Sequence, residues 1–276
     1  NAILMATDTV FGGIGGGGAV VLATNVTGGM PLVKEGPWTL VLRGSNTFAD
    51  PVVVNGGANG IVRLENVNAF LTNSIVVTNG GQLYGTTAMP LGGGSGLRSV
   101  HVTGNYSLWT NTGAVTINSN AVVTVDNSAK MAVTSGGLTM NANGRVPYGL
   151  VVSNGGQLYS TGAGAFIGNA GANNSVIVSG GNAQWNGGAQ ALTIGFGLFA
   201  TNNALRIDGQ GVSGGGLVTN VGPIIVGTNA GYNVMVITNG GQLFSAVSQC
   251  FIGASGSNNS VLVSGTNVLW NIGSQS

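Results

Sequence analysis

The pentapeptide NGGQL occurs three times, at residues 79–83, 154–158 and 239–243. Each copy follows an apolar run (SIVVT, GLVVS, VMVIT) and precedes an aromatic residue, Tyr84, Tyr159 or Phe244. A tryptophan comes next at a near-constant distance: Trp109, Trp185 and Trp270 lie 30, 31 and 31 residues beyond the asparagine of their motif. The second and third copies align without gaps at an offset of 85, with 20 of 33 positions identical. Such self-similarity marks a repeat architecture, in which each unit buries its apolar side only against its neighbours. The repeat-defining residues, read as structural, are Asn79, Gly80, Gly81, Gln82 and Trp109; Asn154, Gly155, Gly156, Gln157 and Trp185; and Asn239, Gly240, Gly241, Gln242 and Trp270.

A smaller grammar runs inside these blocks: an apolar run, glycine, a polar turn, another apolar run, then Gly, Ser or Asn. Its Ile/Val–Gly steps begin at Ile167, Ile194, Val226 and Ile252, in steps of 27, 32 and 26 residues. No window carries apolar residues at i, i+3, i+4 and i+7 between caps, so helices are not expected. Short strands joined by NG, GG, SG and NN fit the corners of a coil, where glycine and asparagine tolerate positive φ. Parallel strands stack about 4.8 Å apart, so about eleven coils of ~25 residues predict a rod near 50 Å long. The tryptophans recur about every third coil, which places them on one face or corner, with asparagine ladders and stacked Val, Ile and Leu between the coils. The expected fold is all-β, a right-handed parallel β-helix over residues 35–276. Residues 1–34 are expected as an irregular apolar segment, a cap or an exchanged strand.

Composition narrows the function. Charged residues make up 5% of the 276 and the formal net charge is +1, where an average domain is about 25% charged. So few basic residues cannot neutralise a phosphate backbone, which argues against nucleic acid. The 6 prolines and the lack of a glycine triplet exclude collagen. The single cysteine, Cys250, excludes an internal disulfide framework. The uncharged stretch from Thr9 to Val33 is broken by glycines and Pro31, so buried strands are expected there and not a membrane span. The chain starts at Asn1, which reads as a processed product or a fragment.

The strings VIVSGGNAQW and LTIGFGLFATNNALRIDG resemble the glycine- and asparagine-rich passenger repeats of bacterial autotransporters and related surface adhesins. Upstream, GPWTLVLRGSNTFADPVVVNGG (residues 36–57) resembles the autotransporter-associated β-strand repeat. This resemblance implies a right-handed parallel β-helix, secretion from a Gram-negative-type bacterium, and display outside the cell or at its surface.

Candidate chemistry is sparse. An acid/base pair needs two carboxylates within about 5–10 Å. Asp50 and Glu65, with Arg43 and Arg63 nearby, are the only acids spaced to meet across coils, and a surface ion cluster accounts for them. Asp126 and Asp208 sit at strand ends, where Asp favours turns. His101 replaces the Ile177 and Leu262 of the other copies and is expected to face solvent, with no acidic partner in register. Cys250 aligns with Ala165 and is expected as a small buried residue. The glycines at 12–18 lack the Lys-Ser/Thr of a phosphate loop, and no calcium nonapeptide is present. No catalytic residue, metal ligand or cofactor is therefore expected, and the chain is not read as an enzyme. A carbohydrate-stacking strip of Tyr84, Tyr106, Tyr159, Phe244 and the tryptophans competes with structural packing of the same residues. Asn25, Asn105, Asn173 and Asn258 head N-x-S/T strings, which matter only in a glycosylating environment.

No charged residue follows Asp208, so the last coil lacks the Lys or Pro that commonly guards an open strand edge. Two arrangements would cover it: adjoining modules of a longer chain, or the first coil of another copy stacked head-to-tail. Trp270, Asn271 and Ile272 are the residues placed at that contact. The leading expectation is a structural subunit or module of an extracellular bacterial fibre, filament or surface layer. The alternatives are an adhesin passenger that binds a glycan or a surface protein, and a carbohydrate-active β-helix enzyme.

Overall fold

The computed structural model describes residues 3–5, 9–13, 18–48, 51–57, 60–66, 74–94, 96–142, 149–211, 215–246 and 249–273. The described residues contain strands, turns and bends but no α-helix. Two sheets of eleven strands run the length of the molecule, and every strand pairing among the described residues is parallel and joins a strand to its counterpart one coil away. The third face holds a seven-stranded sheet, preceded at the N-terminal end by a three-stranded one. The protein is thus a parallel β-solenoid, and eleven stacked strands at about 4.8 Å give the expected length near 50 Å.

The register explains the sequence grammar. On the first face one inward row reads Leu32, Val52, Ile75, Val100, Val123, Leu150, Val176, Leu205, Met235 and Val261. On the second face the row reads Leu40, Val62, Leu83, Trp109, Met131, Leu158, Trp185, Val218, Leu243 and Trp270. The three tryptophans therefore share one row, three coils apart, with smaller apolar side chains between them. Trp109 and Trp185 are fully buried. Alternation along each strand sends the neighbouring residues outward.

The stack does not begin at residue 35. Strands β1 (Ile3–Met5), β2 (Thr9–Phe11), β3 (Ala19–Leu22) and β4 (Val26–Gly28) precede that point. The expected boundary at Lys34 falls inside β5 (Leu32–Glu35). β2 pairs in register with β5, and β3 pairs with β6 (Thr39–Leu42). The expectation of an irregular segment at 1–34 is corrected accordingly. Glycine-rich spacing hid these strands, whose partners lie a full coil further along the chain.

Two devices turn the corners. In each NGGQL copy the asparagine and first glycine both have positive φ (Asn79 51°, Gly80 73°; Asn154 47°, Gly155 79°; Asn239 51°, Gly240 86°). The second glycine N–H closes the turn onto the carbonyl three residues back, at 2.8–2.9 Å. This is the tight turn that Asn-Gly favours. A side chain on Gly81, Gly156 or Gly241 would run into the carbonyl of Val54, Val125 or Ile207 in the coil before, so that position is reserved for glycine by contact. The second device is a ladder of buried asparagines. Asn174 N and Nδ2 donate to Asn203 Oδ1 at 2.9 and 2.8 Å, Asn203 donates likewise to Asn233 Oδ1, and Asn233 to Asn259 Oδ1. Gly168, Gly195 and Gly227, the glycines of the Ile/Val–Gly steps, make room for the carboxamides of Asn203, Asn233 and Asn259.

Candidate functional site

The three NGGQL motifs open three outward-facing stretches on the second face: β11 (Gln82–Gly85), β20 (Gln157–Ser160) and β29 (Gln242–Ser245). In each, leucine points into the core while Gln and the aromatic two residues later lie half-buried on the outer surface. The Tyr84 hydroxyl donates to Gln82 Oε1 at 2.9 Å, and the Tyr159 hydroxyl to Gln157 Oε1 at 3.0 Å. Phe244 has no hydroxyl to repeat this. The candidate stacking strip is therefore split. Tyr84, Tyr159 and Phe244 face out, the tryptophans face in, and Tyr106 is exposed at a corner with φ 65°.

The second face also carries two concavities. One, of about 380 Å³, is lined by Thr39, Ile61, Arg63, Tyr84, Thr86 and Thr112. The other, of about 420 Å³, is lined by Ser128, Gln157, Asn182, Gln184 and Leu217. Both fall within the range of small-ligand pockets, and both touch a glutamine–tyrosine pair or its strand.

Charged groups form small surface pairs. Arg43 Nε lies 2.7 Å from Glu65 Oε2, and Arg63 Nε lies 3.3 Å from Glu65 Oε1. That places three members of the expected ion cluster together; Asp50 lies outside the described residues. His101 points outward as expected, but it has an acidic neighbour after all: its Nε2 lies 3.1 Å from both carboxylate oxygens of Asp126 on the next coil. The two are 25 residues apart, so only the coil length joins them. Asp208 accepts the Gln210 N–H at 2.8 Å, the turn role its position predicts. No cluster of three metal-ligating side chains occurs among the described residues.

One buried cation escaped the sequence reading. Lys34 is completely buried, with Nζ 4.5 Å from the Trp38 ring centroid and hydrogen-bonded to the carbonyls of Glu35 and Gly36. Burial pushes its pKa down from 10.5 to about 8. An alternation rule places it inward, but nothing in the sequence shows the carbonyls that accept its protons.

The outermost described strands expose core-type side chains. At one end these strands are β30 (Cys250–Ile252), β31 (Ser260–Ser264) and β32 (Leu269–Asn271); at the other they are β1, β2 and β3. Ile252 and Val263 continue inward rows through Val226 and Ile237, yet are 48% and 44% exposed. Val20 continues the Leu40 row and is 43% exposed. Trp270 is half-buried, while Asn271 and Ile272 are exposed. Cys250 shares its row with Ala165, as aligned, but it is half-buried because its strand is the outermost of its sheet. Partial burial raises its thiol pKa.

Compared with family models, with curated proteins and with solved structures, the chain matches none. The structure defines the class: an all-β parallel solenoid with tyrosine–glutamine pairs on one face and, among the described residues, apolar side chains on the outermost strands. No helix among the described residues is long and apolar enough to cross a membrane.

Proposed function

We propose that this chain is a structural unit of an extracellular bacterial fibre or surface layer, a rigid rod whose coil stack is continued head-to-tail by further copies. The observation that carries this reading is the match between the two ends. The outermost strands follow the same order around the coil, third face, first face, second face, as β30, β31, β32 and as β1, β2, β3. A second copy placed on the stack therefore extends all three faces in parallel, with each unpaired edge meeting an unpaired edge. The exposed rows through Ile252, Val263 and Val20 become core in that arrangement, and Trp270 and Ile272 lie in the contact. Neither set of outermost strands carries a charged side chain, so stacking meets no like-charge repulsion. Such contacts are heterologous and give open filaments. The resemblance of the repeats to autotransporter passengers supports a location outside a Gram-negative-type cell. The reading assigns the chain no catalytic step and no cofactor.

Electron microscopy and light scattering of the purified chain test it. Rods longer than one ~50 Å unit are expected, and Val263→Pro, which removes an edge donor and stiffens the last strand, should leave single units. A monodisperse monomer at high concentration, with slow amide exchange in residues 260–271, would overturn the proposal.

A further inference from the structure

The outer surface of the second face carries a pattern that stacking of the ends does not use. Its register sets two rows side by side. One runs Arg63, Tyr84, Thr110, Ala132, Tyr159, Asn186, and the other Ile61, Gln82, Leu108, Lys130, Gln157, Gln184. Read along the axis, a cation stands one strand before each tyrosine–glutamine pair. Arg63 precedes Tyr84 and Gln82, and Lys130 precedes Tyr159 and Gln157. The tyrosine and the glutamine each recur after three strand steps, about 14 Å, and the cations also stand three strands apart, Arg63 in the tyrosine row and Lys130 in the glutamine row. Between the two tyrosines the surface is floored by the short side chains of Thr110 and Ala132, which leaves a shallow bay bounded by a ring at each end.

The third NGGQL copy keeps Gln242 but lacks the tyrosine hydroxyl and the cation. Phe244 carries no hydroxyl, and Leu217 stands at the position equivalent to Lys130. The register also shifts between Val218 and Val221 just before it, and such irregularities re-aim side chains. Packing requirements alone would treat the three copies alike, since all three insert a leucine and precede a tryptophan. One concavity lies against Tyr84 and Arg63 of the first unit, and the other touches the second unit at Gln157, without Tyr159 or Lys130 in its lining.

We infer that this face binds a linear, carboxylate-bearing polysaccharide laid along the solenoid axis, in two related subsites whose tyrosines stand about 14 Å apart. A tyrosine offers an apolar ring face to the C–H face of a sugar. The glutamine amide and the threonine hydroxyls of Thr39, Thr86 and Thr112 offer donors and acceptors to sugar hydroxyls. The cation selects the acidic sugar. Lys130 is exposed, and no ion pair with it occurs among the described residues. Arg63 is partly engaged by Glu65, so Lys130 is the stronger anchor. The axial repeat of the subsites suits a polymer, because a chain that engages both gains from the high effective concentration of its second segment.

The test is isothermal titration of the full chain with a hexameric oligouronate and, separately, a neutral hexameric glucan. The uronate should bind with an affinity that falls as salt is raised, and the glucan at least tenfold more weakly. Lys130→Gln and Tyr159→Ala should each weaken uronate binding at least tenfold, Tyr159→Phe by less than threefold, and Phe244→Ala not at all. Lys130 is exposed, so its variant should fold as the parent does, and thermal melts check this for the others. Absence of uronate binding, equal binding of the neutral glucan, or indifference to Lys130→Gln and Tyr159→Ala would each overturn the inference. The surface lies away from both ends, so Val263→Pro monomers should bind as well as rods, and the two proposals stand or fall separately.

Discussion

Replacement of Asn203 by alanine isolates what the asparagine ladder contributes. Asn203 is fully buried, and its Oδ1 accepts both the backbone N–H and the Nδ2 of Asn174. In Asn203→Ala the Asn174 N–H is left buried without a partner, at a cost of about 1–3 kcal/mol. The Asn174 carboxamide is less affected, since Nδ2 still donates to Gly171 O at 3.0 Å. Asn233 Oδ1 also keeps the Asn203 backbone N–H. The vacated space beside Gly168 adds a void worth about 1 kcal/mol, so the local cost is about 2–4 kcal/mol. A repeat array does not unfold as a single two-state unit, so the assay is hydrogen exchange at the Asn174 amide. That loss should speed its exchange about 30- to 1,000-fold, at tenfold per 1.4 kcal/mol. The reciprocal change sharpens the test. Gly168→Ala in the parent would drive a methyl group into the Asn203 carboxamide and also strain a residue at φ 80°. In the Asn203→Ala background only the backbone strain remains, about 1–2 kcal/mol. The double-mutant cycle should therefore show a favourable coupling of about 1–3 kcal/mol. Additivity within about 0.5 kcal/mol, or an unchanged Asn174 exchange rate, would refute the account of why glycine and asparagine alternate along this corner.

Further expectations follow from the same contacts. Gly156→Ala, whose methyl group would meet the Val125 carbonyl, should cost more than about 2 kcal/mol, whereas Gly155→Asn, at a positive φ that asparagine tolerates, should cost less than about 1 kcal/mol in chemical denaturation. Trp185 Nε1 donates to Ser160 Oγ at 2.8 Å while Trp109 Nε1 has no partner among the described residues, so Trp185→Phe should destabilise more than Trp109→Phe, by about 1 kcal/mol in matched melts. For Lys34, the folded pKa of about 8 lies below the ordinary 10.5. Between those values the unfolded chain holds more protons than the folded one, so the stability of the parent should rise with pH across that window, with the full cost of the buried charge present below it. Denaturation midpoints of the parent and Lys34→Met, compared from pH 7 to 10.5, should converge or shift in the parent's favour as pH rises; a constant difference would show that Lys34 titrates normally.

The strand grammar was legible because a solenoid writes its fold periodically. The Ile/Val–Gly steps recur at coil length, and NGGQL and the tryptophans every three coils, so local turn chemistry and long-range stacking carry the same message. The candidate surface was less legible. Tyr84, Tyr159 and Phe244 were visible as a repeated set, but Arg63 and Lys130 join it only through register, since coils of unequal length hide the alignment from a simple offset. The His101–Asp126 pair was missed for the same reason.

By itself, then, the sequence determined the class of fold, the chemistry of its corners and the row that holds its tryptophans, because turn preferences and strand alternation are properties of a few neighbouring residues. Tertiary structure alone decided that the stack includes residues before 35, that Lys34 is buried against carbonyls, and that a cation stands before each of two tyrosines. The first and last of those relations join residues more than twenty positions apart, and the burial of Lys34, whose acceptor carbonyls are its own neighbours, depends on the coils that pack over it. The register that brings them together exists only once the coils are stacked.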